Sequence, residues 1–293
     1  MTPIDIVIHC GAHKTATTHL QQSFYAQETQ LARAGIRFLG PRHLRGRGKS
    51  LRDHLGLDAG QDQDKVLGDL VQGATSLLMS EENFMGLIIN QDGRLAHDTL
   101  YPNGARRLIN VSRRLAHHRV HLALAVRNPA DLLVSAYAQA LLAGHYRTWD
   151  DFVAGLDPAK LTWSDLIAPI AKAGTFDTIT VWQFENYPKI VPDVLTCLLG
   201  QGHPQINIDP MHKSHEGLSD QAVAACAKRF DAGERGRLGA LARKDFPVSG
   251  ACPKYAPWPQ SVVKATAASY AQDVARIQDL PQVTVLKPKP GKT

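Results

Sequence analysis

The chain has 293 residues, of which 44% are hydrophobic, and a formal net charge of +6 at pH 7. This length suffices to bury a large core and favours one sizeable α/β domain with additions. No stretch approaches the roughly 18 apolar residues of a membrane span, so we expect no transmembrane segment, and the basic balance favours an anionic ligand or partner.

Strand-length apolar runs alternate with helical stretches along the first two thirds of the chain. The runs are nearly continuous rather than alternating, as is typical of parallel strands buried on both faces. This order predicts βαβ units and a mainly parallel sheet. The predicted strands are 4–10, 75–80, 120–126 and 178–184, and the predicted helices are 17–34, 63–72, 103–114 and 129–143.

A single domain over 1–293 is expected, with an α/β core at 1–188 and a mostly helical portion at 189–293. Residues 1–10 lack a basic n-region, so we expect no signal peptide.

The four cysteines are scattered without CxxC spacing, so we interpret them as reduced core residues rather than metal ligands. Reduced cysteines fit a cytoplasmic protein.

The turn after the first predicted strand has the composition of an anion site. Gly11 allows a tight exit from the strand, Lys14 adds a positive charge, and Thr17 and Thr18 supply hydroxyls at a helix N-terminus, where phosphate is attracted. A Walker loop is not satisfied, because Lys14 comes only three residues after Gly11 and before the threonines. The alternative is a plain strand-to-helix turn.

A second candidate segment follows the third predicted strand. Arg127 stands directly after it, Asn128 can cap a helix, and Pro129 suits the first helical position. Ser135 lies one turn beyond Asp131, so Arg127 and Ser135 can converge on one anion, which the arginine fork would recognise. Taken alone, the segment could also be a helix start with a surface arginine.

Together the two segments resemble the sulfotransferase family. The first family motif stands here as "HKTATT" (13–18). The second, "RNPxDxxxSxY", is matched at 127–137. The resemblance implies a three-layer α/β/α fold of the P-loop NTPase-like kind. It also implies an enzyme that transfers a sulfuryl group from 3′-phosphoadenosine 5′-phosphosulfate (PAPS) to an acceptor hydroxyl or amine, with adenosine 3′,5′-bisphosphate as product and no metal.

By the same resemblance, the first motif would hold the 5′-phosphosulfate and the second the 3′-phosphate. The donor-binding residues implied are Lys14, Thr15, Ala16, Thr17, Thr18, Arg127 and Ser135. Lys14 would also act in catalysis by stabilising the leaving phosphate. The family usually has glycine where Ala16 stands, so a positive φ there would cost about 1 kcal/mol.

A general base must take the acceptor proton. Glu81 and Glu82 follow a buried strand, at the same carboxyl edge as the two anion segments, and the resemblance to bacterial members favours Glu82. His13 is the second candidate, although shaping the loop is its expected role. The alternative for both carboxylates is a solvated helix cap. Glu185 ends another strand at this edge and could instead pair with a cation.

The expected acceptor is a small molecule, a carbohydrate or a lipid, because the segment 40–60 is rich in arginine. Basic residues at helical spacing in 106–119 favour a solvated helix face rather than nucleic-acid binding. A homo-oligomer is possible. Two other functions stay open: a non-catalytic nucleotide- or anion-binding P-loop protein, and, with less support, a P-loop kinase.

Overall fold

The computed structural model describes residues 2–45, 63–208 and 217–289. Its centre is one sheet of six parallel strands in the order β2-β3-β1-β4-β5-β6. The strands are β1 (Asp5–His9), β2 (Ile36–Leu39), β3 (Ser76–Ser80), β4 (Arg119–Val126), β5 (Thr178–Gln183) and β6 (Val283–Leu286).

Helices connect the strands and cover both faces of the sheet. They are α1 (Thr17–Ala26), α2 (Glu28–Arg33), α3 (Pro41–Leu44), α4 (Gln63–Val71), α5 (Gly104–Arg114), α6 (Pro129–Ala143), α7 (Trp149–Val153), α8 (Ser164–Ala173), α9 (Tyr187–Leu199), α10 (Asp220–Asp231), α11 (Leu238–Asp245) and α12 (Gln260–Gln278).

The side chains of β4 show how the sheet separates two cores. Leu122 and Leu124 belong to the core that α5, α8 and α12 cover. Ala123 and Ala125 belong to the opposite core, which α1, α2 and α9 cover. Because successive side chains of a strand point to opposite faces, a strand that is apolar throughout must lie between two layers. The expected three-layer α/β/α architecture is thereby confirmed.

The C-terminal portion adds a third core outside the sheet. Tyr137 and Leu141 of α6 pack there against residues of α7, α10 and α11. Within the described residues, no helix combines the length and apolarity needed to cross a membrane.

The structure contains two strands and one break between helices that the sequence did not predict. β2 and β6 were not predicted, and the single helix expected over 17–34 is two helices separated at Gln27. Each missed strand has only four residues, too few for a pattern to stand out. Of the predicted basic segment 40–60, residues 41–44 form α3 and Arg45 joins an ion pair; residues 46–60 lie outside the described residues.

The strand order of the sheet changes direction between β1 and β4. These strands are neighbours, and the chain leaves β1 toward β2 on one side and β4 toward β5 on the other. Such a reversal in an open parallel sheet is where ligands bind. Both anion-binding segments predicted from the sequence follow these two strands.

Candidate functional site

The loop between β1 and α1 has a tightly determined backbone. Gly11, Lys14 and Ala16 all have positive φ, at 62°, 66° and 63°. A Cβ on Gly11 would lie 2.0 Å from Cγ2 of Thr17, so only glycine fits there. Lys14 and Ala16 are left-handed residues separated by one position. This arrangement turns successive N–H groups toward one side, a geometry that forms an anion-binding concavity.

Five consecutive backbone N–H groups of this loop, from residue 14 to residue 18, have no acceptor among the described residues. The next N–H groups along the chain, those of His19 and Leu20, donate to the carbonyl of Ala16. No side chain caps the start of α1. Unused N–H groups at the positive end of a helix dipole form a ready site for phosphate or sulfate.

The three threonine hydroxyls of the loop have different partners. Thr15 Oγ1 donates to the carbonyl of Ala12 (2.7 Å), so its side chain holds the loop and only its N–H is free for an anion. Thr17 Oγ1 donates to Glu82 Oε2 (2.7 Å). Thr18 Oγ1 makes no hydrogen bond within the described ranges 2–45, 63–208 and 217–289, so it is the hydroxyl available to a ligand.

Lys14 and Arg127 meet at this edge, as the sequence prediction requires. Arg127 Nη1 donates to the backbone carbonyl of Lys14 (2.7 Å), and its guanidinium lies 4.6 Å from the ring centroid of Phe184. The carbonyl of Arg127 accepts from Trp163 Nε1 (2.8 Å). Burial, and next the charge of Arg127, lower the pKa of the Lys14 ammonium, while Glu82 opposes this. A bound anion would offset both costs.

The start of α6 forms as predicted. Asn128 Oδ1 accepts from the N–H of Ala130 (2.9 Å), and Pro129 occupies the first turn. Glu185 Oε1 accepts from the N–H of Asn128 (2.8 Å), so Glu185 ties the ends of β4 and β5 together. Ser135 is half-buried on the second turn, and its hydroxyl has no hydrogen-bond partner in the described part of the chain.

The two carboxylates after β3 have separate roles in the structure. The Glu81 side chain is fully buried and forms a two-pronged ion pair with Arg45, whose Nε lies 2.6 Å from Oε2. Glu81 Oε1 also accepts from the N–H of Asn83 (2.9 Å), so this residue is a buried helix cap rather than a solvated one. Glu82 is half-buried and faces the loop through Thr17.

The hydrogen bonds of His13 define its tautomer. Its backbone N–H donates to Tyr101 Oη (3.1 Å), and that hydroxyl then donates to Nδ1 (2.8 Å). Nε2 therefore carries the proton and donates to Asn83 Oδ1 (3.2 Å). Burial lowers the pKa of His13, which keeps the ring neutral. Because both ring nitrogens are engaged, the arrangement favours His13 as a residue that shapes the loop.

Sequence reasoning did not find several residues that build this site. Tyr101 and Asn83 hold His13, Arg45 holds Glu81, and Trp163 holds Arg127. Three of these four supporting residues lie in stretches without a motif. The left-handed conformation of Tyr101 (φ 51°) is unusual for a bulky residue. No sequence pattern indicates such long-range contacts. The one available signal was Tyr101 itself, an isolated aromatic residue in a polar loop.

The positive φ of Ala16 leads to a stability prediction. Replacing Ala16 with glycine is expected to raise the free energy of unfolding by up to about 1 kcal/mol, because glycine adopts this conformation without Cβ strain. Urea denaturation measures the change. Ala12→Gly is the matched control, because Ala12 lies in the same loop without a positive φ. This variant should have a lower free energy of unfolding than wild type. A similar decrease in the free energy of unfolding for both variants would contradict the strain at Ala16.

Among the described residues, no three His, Cys, Asp or Glu side chains are grouped so that they could hold a metal ion. Comparisons with protein-family models, with curated proteins and with solved structures found no match for this chain. Function is therefore inferred from the geometry and chemistry of the site.

Proposed function

We propose that the chain is a sulfotransferase that moves a sulfuryl group from PAPS to a hydroxyl or amine of an acceptor, acting in the cytoplasm. One observation carries the proposal: the loop has five unused N–H groups at 14–18, beginning with that of Lys14, and Arg127 is hydrogen-bonded to the carbonyl of that same lysine. The two segments that resemble the family motifs thus form one positively charged site.

The 5′-phosphosulfate would lie in the loop. The N–H groups, the ammonium of Lys14 and the hydroxyl of Thr18 would contact its oxygens. In the reaction, the acceptor oxygen or nitrogen forms a bond to sulfur as the bond from sulfur to the bridging oxygen breaks. That oxygen keeps the electron pair and becomes part of the leaving phosphate. Donors fixed in advance around this developing charge are the main source of rate enhancement in such transfers.

The acceptor proton needs a base near the loop. Glu82 is the carboxylate that contacts the loop directly, through Thr17. Glu81 is fully buried and already forms an ion pair with Arg45. The proposal therefore gives proton removal to Glu82. Arg127, which precedes α6, and Ser135, on the second turn of α6, would bind the 3′-phosphate.

Calorimetric titration with adenosine 3′,5′-bisphosphate tests the donor site. Wild type is expected to bind at micromolar concentration without magnesium, and Lys14→Ala and Arg127→Ala should each weaken binding about 30-fold or more, because each loses a charge-assisted contact. Arg106→Ala is the control, since Arg106 is an exposed arginine of α5. No binding by wild type, or equal binding of plain AMP, would rule out the 3′-phosphate site and the sulfotransferase.

A magnesium-dependent P-loop protein is the second candidate, supported by the hydrogen bond between Thr17 Oγ1 and Glu82. A hydroxyl and a carboxylate are ligands that Mg²⁺ uses together with nucleotide phosphates. Titration with ATP separates the two candidates: tight binding that requires magnesium supports the second. Binding of the bisphosphate with no turnover on a broad acceptor panel would instead indicate a non-catalytic anion-binding protein.

A further inference from the structure

Helix α1 contacts the end of β3 at two levels, one helical turn apart. At the outer level, Thr17 Oγ1 donates to the Glu82 carboxylate (2.7 Å). At the inner level, Nε2 of Gln21 donates to both the carbonyl oxygen and Oγ of Ser80, each at 3.2 Å. Because residues four apart lie on one face of a helix, Thr17 and Gln21 face the same segment. The helix that follows the anion loop is therefore tied twice to the segment that carries Glu82.

His9, the last residue of β1, supports the inner level. Its Nδ1 lies 2.9 Å from Ser80 Oγ. Since Gln21 donates to that oxygen, the hydroxyl hydrogen of Ser80 is available to donate to Nδ1. Burial lowers the pKa of His9 to about 4, so the ring is neutral and can accept this hydrogen bond. The carbonyl of His9 also accepts from the N–H of Glu81 (2.9 Å). The ends of β1 and β3 are thus joined through both backbone and side chains.

Packing against β5 fixes the ring of His9. This ring is stacked on Trp182, with 5.7 Å between the ring centroids and 24° between the planes. The strand between them is β4, where Ala123 is the register partner of His9 and Ala125 that of Trp182. These small side chains leave room for the two rings above β4. All three side chains of the inner level are at most 5% exposed, so water is excluded from their hydrogen bonds.

The two levels respond differently to proton transfer. The hydrogen bond from Thr17 has an ionised acceptor, and such bonds are roughly twice as strong as those between neutral groups. When Glu82 takes the acceptor proton in the proposed reaction, the carboxylate becomes neutral and this bond weakens. The bonds of Gln21 and Ser80 join neutral groups, so their strength does not depend on the protonation of Glu82. The inner level therefore holds α1 against β3 in both states.

We propose that Gln21 and Ser80 are positioning residues for the sulfuryl transfer: they keep Glu82 in a fixed place relative to the N–H groups of the anion loop, before and after it takes the proton. This inference rests on the proposed sulfotransferase function. Neither residue contacts donor or acceptor; both act through α1 and through the backbone that leads to Glu82. Because misplacing a reacting group by about 1 Å can cost about 10²-fold in rate, loss of the inner level lowers kcat while the donor site remains.

Replacing Gln21 with methionine tests this role, because methionine has a similar length and cannot donate the two hydrogen bonds. Transfer of a labelled sulfuryl group from PAPS to a panel of hydroxyl and amine compounds measures kcat, which should fall about tenfold or more. Calorimetric affinity for adenosine 3′,5′-bisphosphate should stay within about threefold of wild type. Gln22→Met makes the same change at the adjacent, exposed position of α1 and should leave kcat within about twofold.

The Glu82→Gln background separates positioning from general damage. No base is left to position there, so adding Gln21→Met should lower kcat by a further factor of about two at most. Three results would overturn the proposal: unchanged kcat in Gln21→Met, an equal loss of bisphosphate affinity, which would indicate a role in donor binding, or the full loss of kcat again in the Glu82→Gln background.

Urea denaturation checks that each variant is folded. If Gln21→Met does not fold, Ser80→Ala decides in its place: it keeps the bond from Gln21 to the carbonyl and should lower kcat about threefold or more, again only where Glu82 is present. Unchanged kcat in a folded Ser80→Ala variant would then overturn the proposal. Wild type that neither binds the bisphosphate nor transfers the sulfuryl group defeats the proposed function itself, and the positioning role with it. Wild type that does both leaves the decision to the variants.

Discussion

Replacing Glu82 with glutamine is expected to lower kcat by about 10² to 10⁴, the range associated with losing a general base. Glutamine keeps the size of the side chain and can still accept the hydrogen bond from Thr17 Oγ1, so the loop should keep its shape. Binding of adenosine 3′,5′-bisphosphate should therefore stay within a fewfold of wild type. The expected defect lies in proton removal rather than in donor affinity.

Transfer of a labelled sulfuryl group from PAPS to a panel of hydroxyl and amine compounds measures this effect. Glu234→Gln serves as the control, because Glu234 is an exposed glutamate on the turn between α10 and α11. Undiminished turnover by Glu82→Gln, together with normal donor binding, would exclude Glu82 as the base. A parallel loss of bisphosphate affinity would show that the residue holds the loop instead.

The choice of Glu82 over Glu81 follows from what each carboxylate already binds. The Arg45 guanidinium occupies both oxygens of Glu81, and the N–H of Asn83 takes a further position on Oε1. Glu82 instead accepts from Thr17 Oγ1 and has only a longer contact with Arg45, whose Nη2 lies 3.8 Å from Glu82 Oε1. The buried carboxylate is thus fully engaged by its partners, whereas the half-buried one contacts the loop.

The sequence predicted the parts of the site that depend on local pattern. Continuous apolar runs identified β1, β3, β4 and β5, because strands buried on both faces need no alternation. Asn128 and Pro129 identified the start of α6, because capping chemistry is local. Since parallel strands present their carboxyl ends at one edge, the loop after β1 and Arg127 were expected to meet, and they do.

Contacts between residues far apart in the chain could not be predicted in this way. Tyr101 reaches His13 across 88 residues, and Arg45 reaches Glu81 across 36. Each depends on the completed packing of several elements. The four-residue edge strand β6 is similar: it pairs with β5, and its sequence alone is too short to indicate a strand.

Asp273 of α12 shows how such a distant contact supports the site. Its side chain is almost fully buried and accepts from the N–H of Trp163 (2.6 Å), and from the N–H (3.3 Å) and Oγ (2.5 Å) of Ser164. It therefore caps the start of α8 from another element. Trp163, fixed in this way, donates through Nε1 to the carbonyl of Arg127. A residue remote from the anion loop thus helps hold an arginine that we place in donor binding.

Replacing Asp273 with alanine is expected to lower the free energy of unfolding by about 3 kcal/mol, because a buried N–H group, a half-buried N–H group and a hydroxyl lose their acceptor. Asp273→Asn keeps an acceptor oxygen and should cost about 1 kcal/mol. Urea denaturation measures both, with exposed Asp279→Ala at the end of the same helix as the control. Bisphosphate affinity of the folded Asp273→Asn variant tests the link to Arg127: a selective loss relative to the control supports it. If Asp273→Ala were as stable as the control, the capping role would be wrong, since buried N–H groups without an acceptor must destabilise the fold.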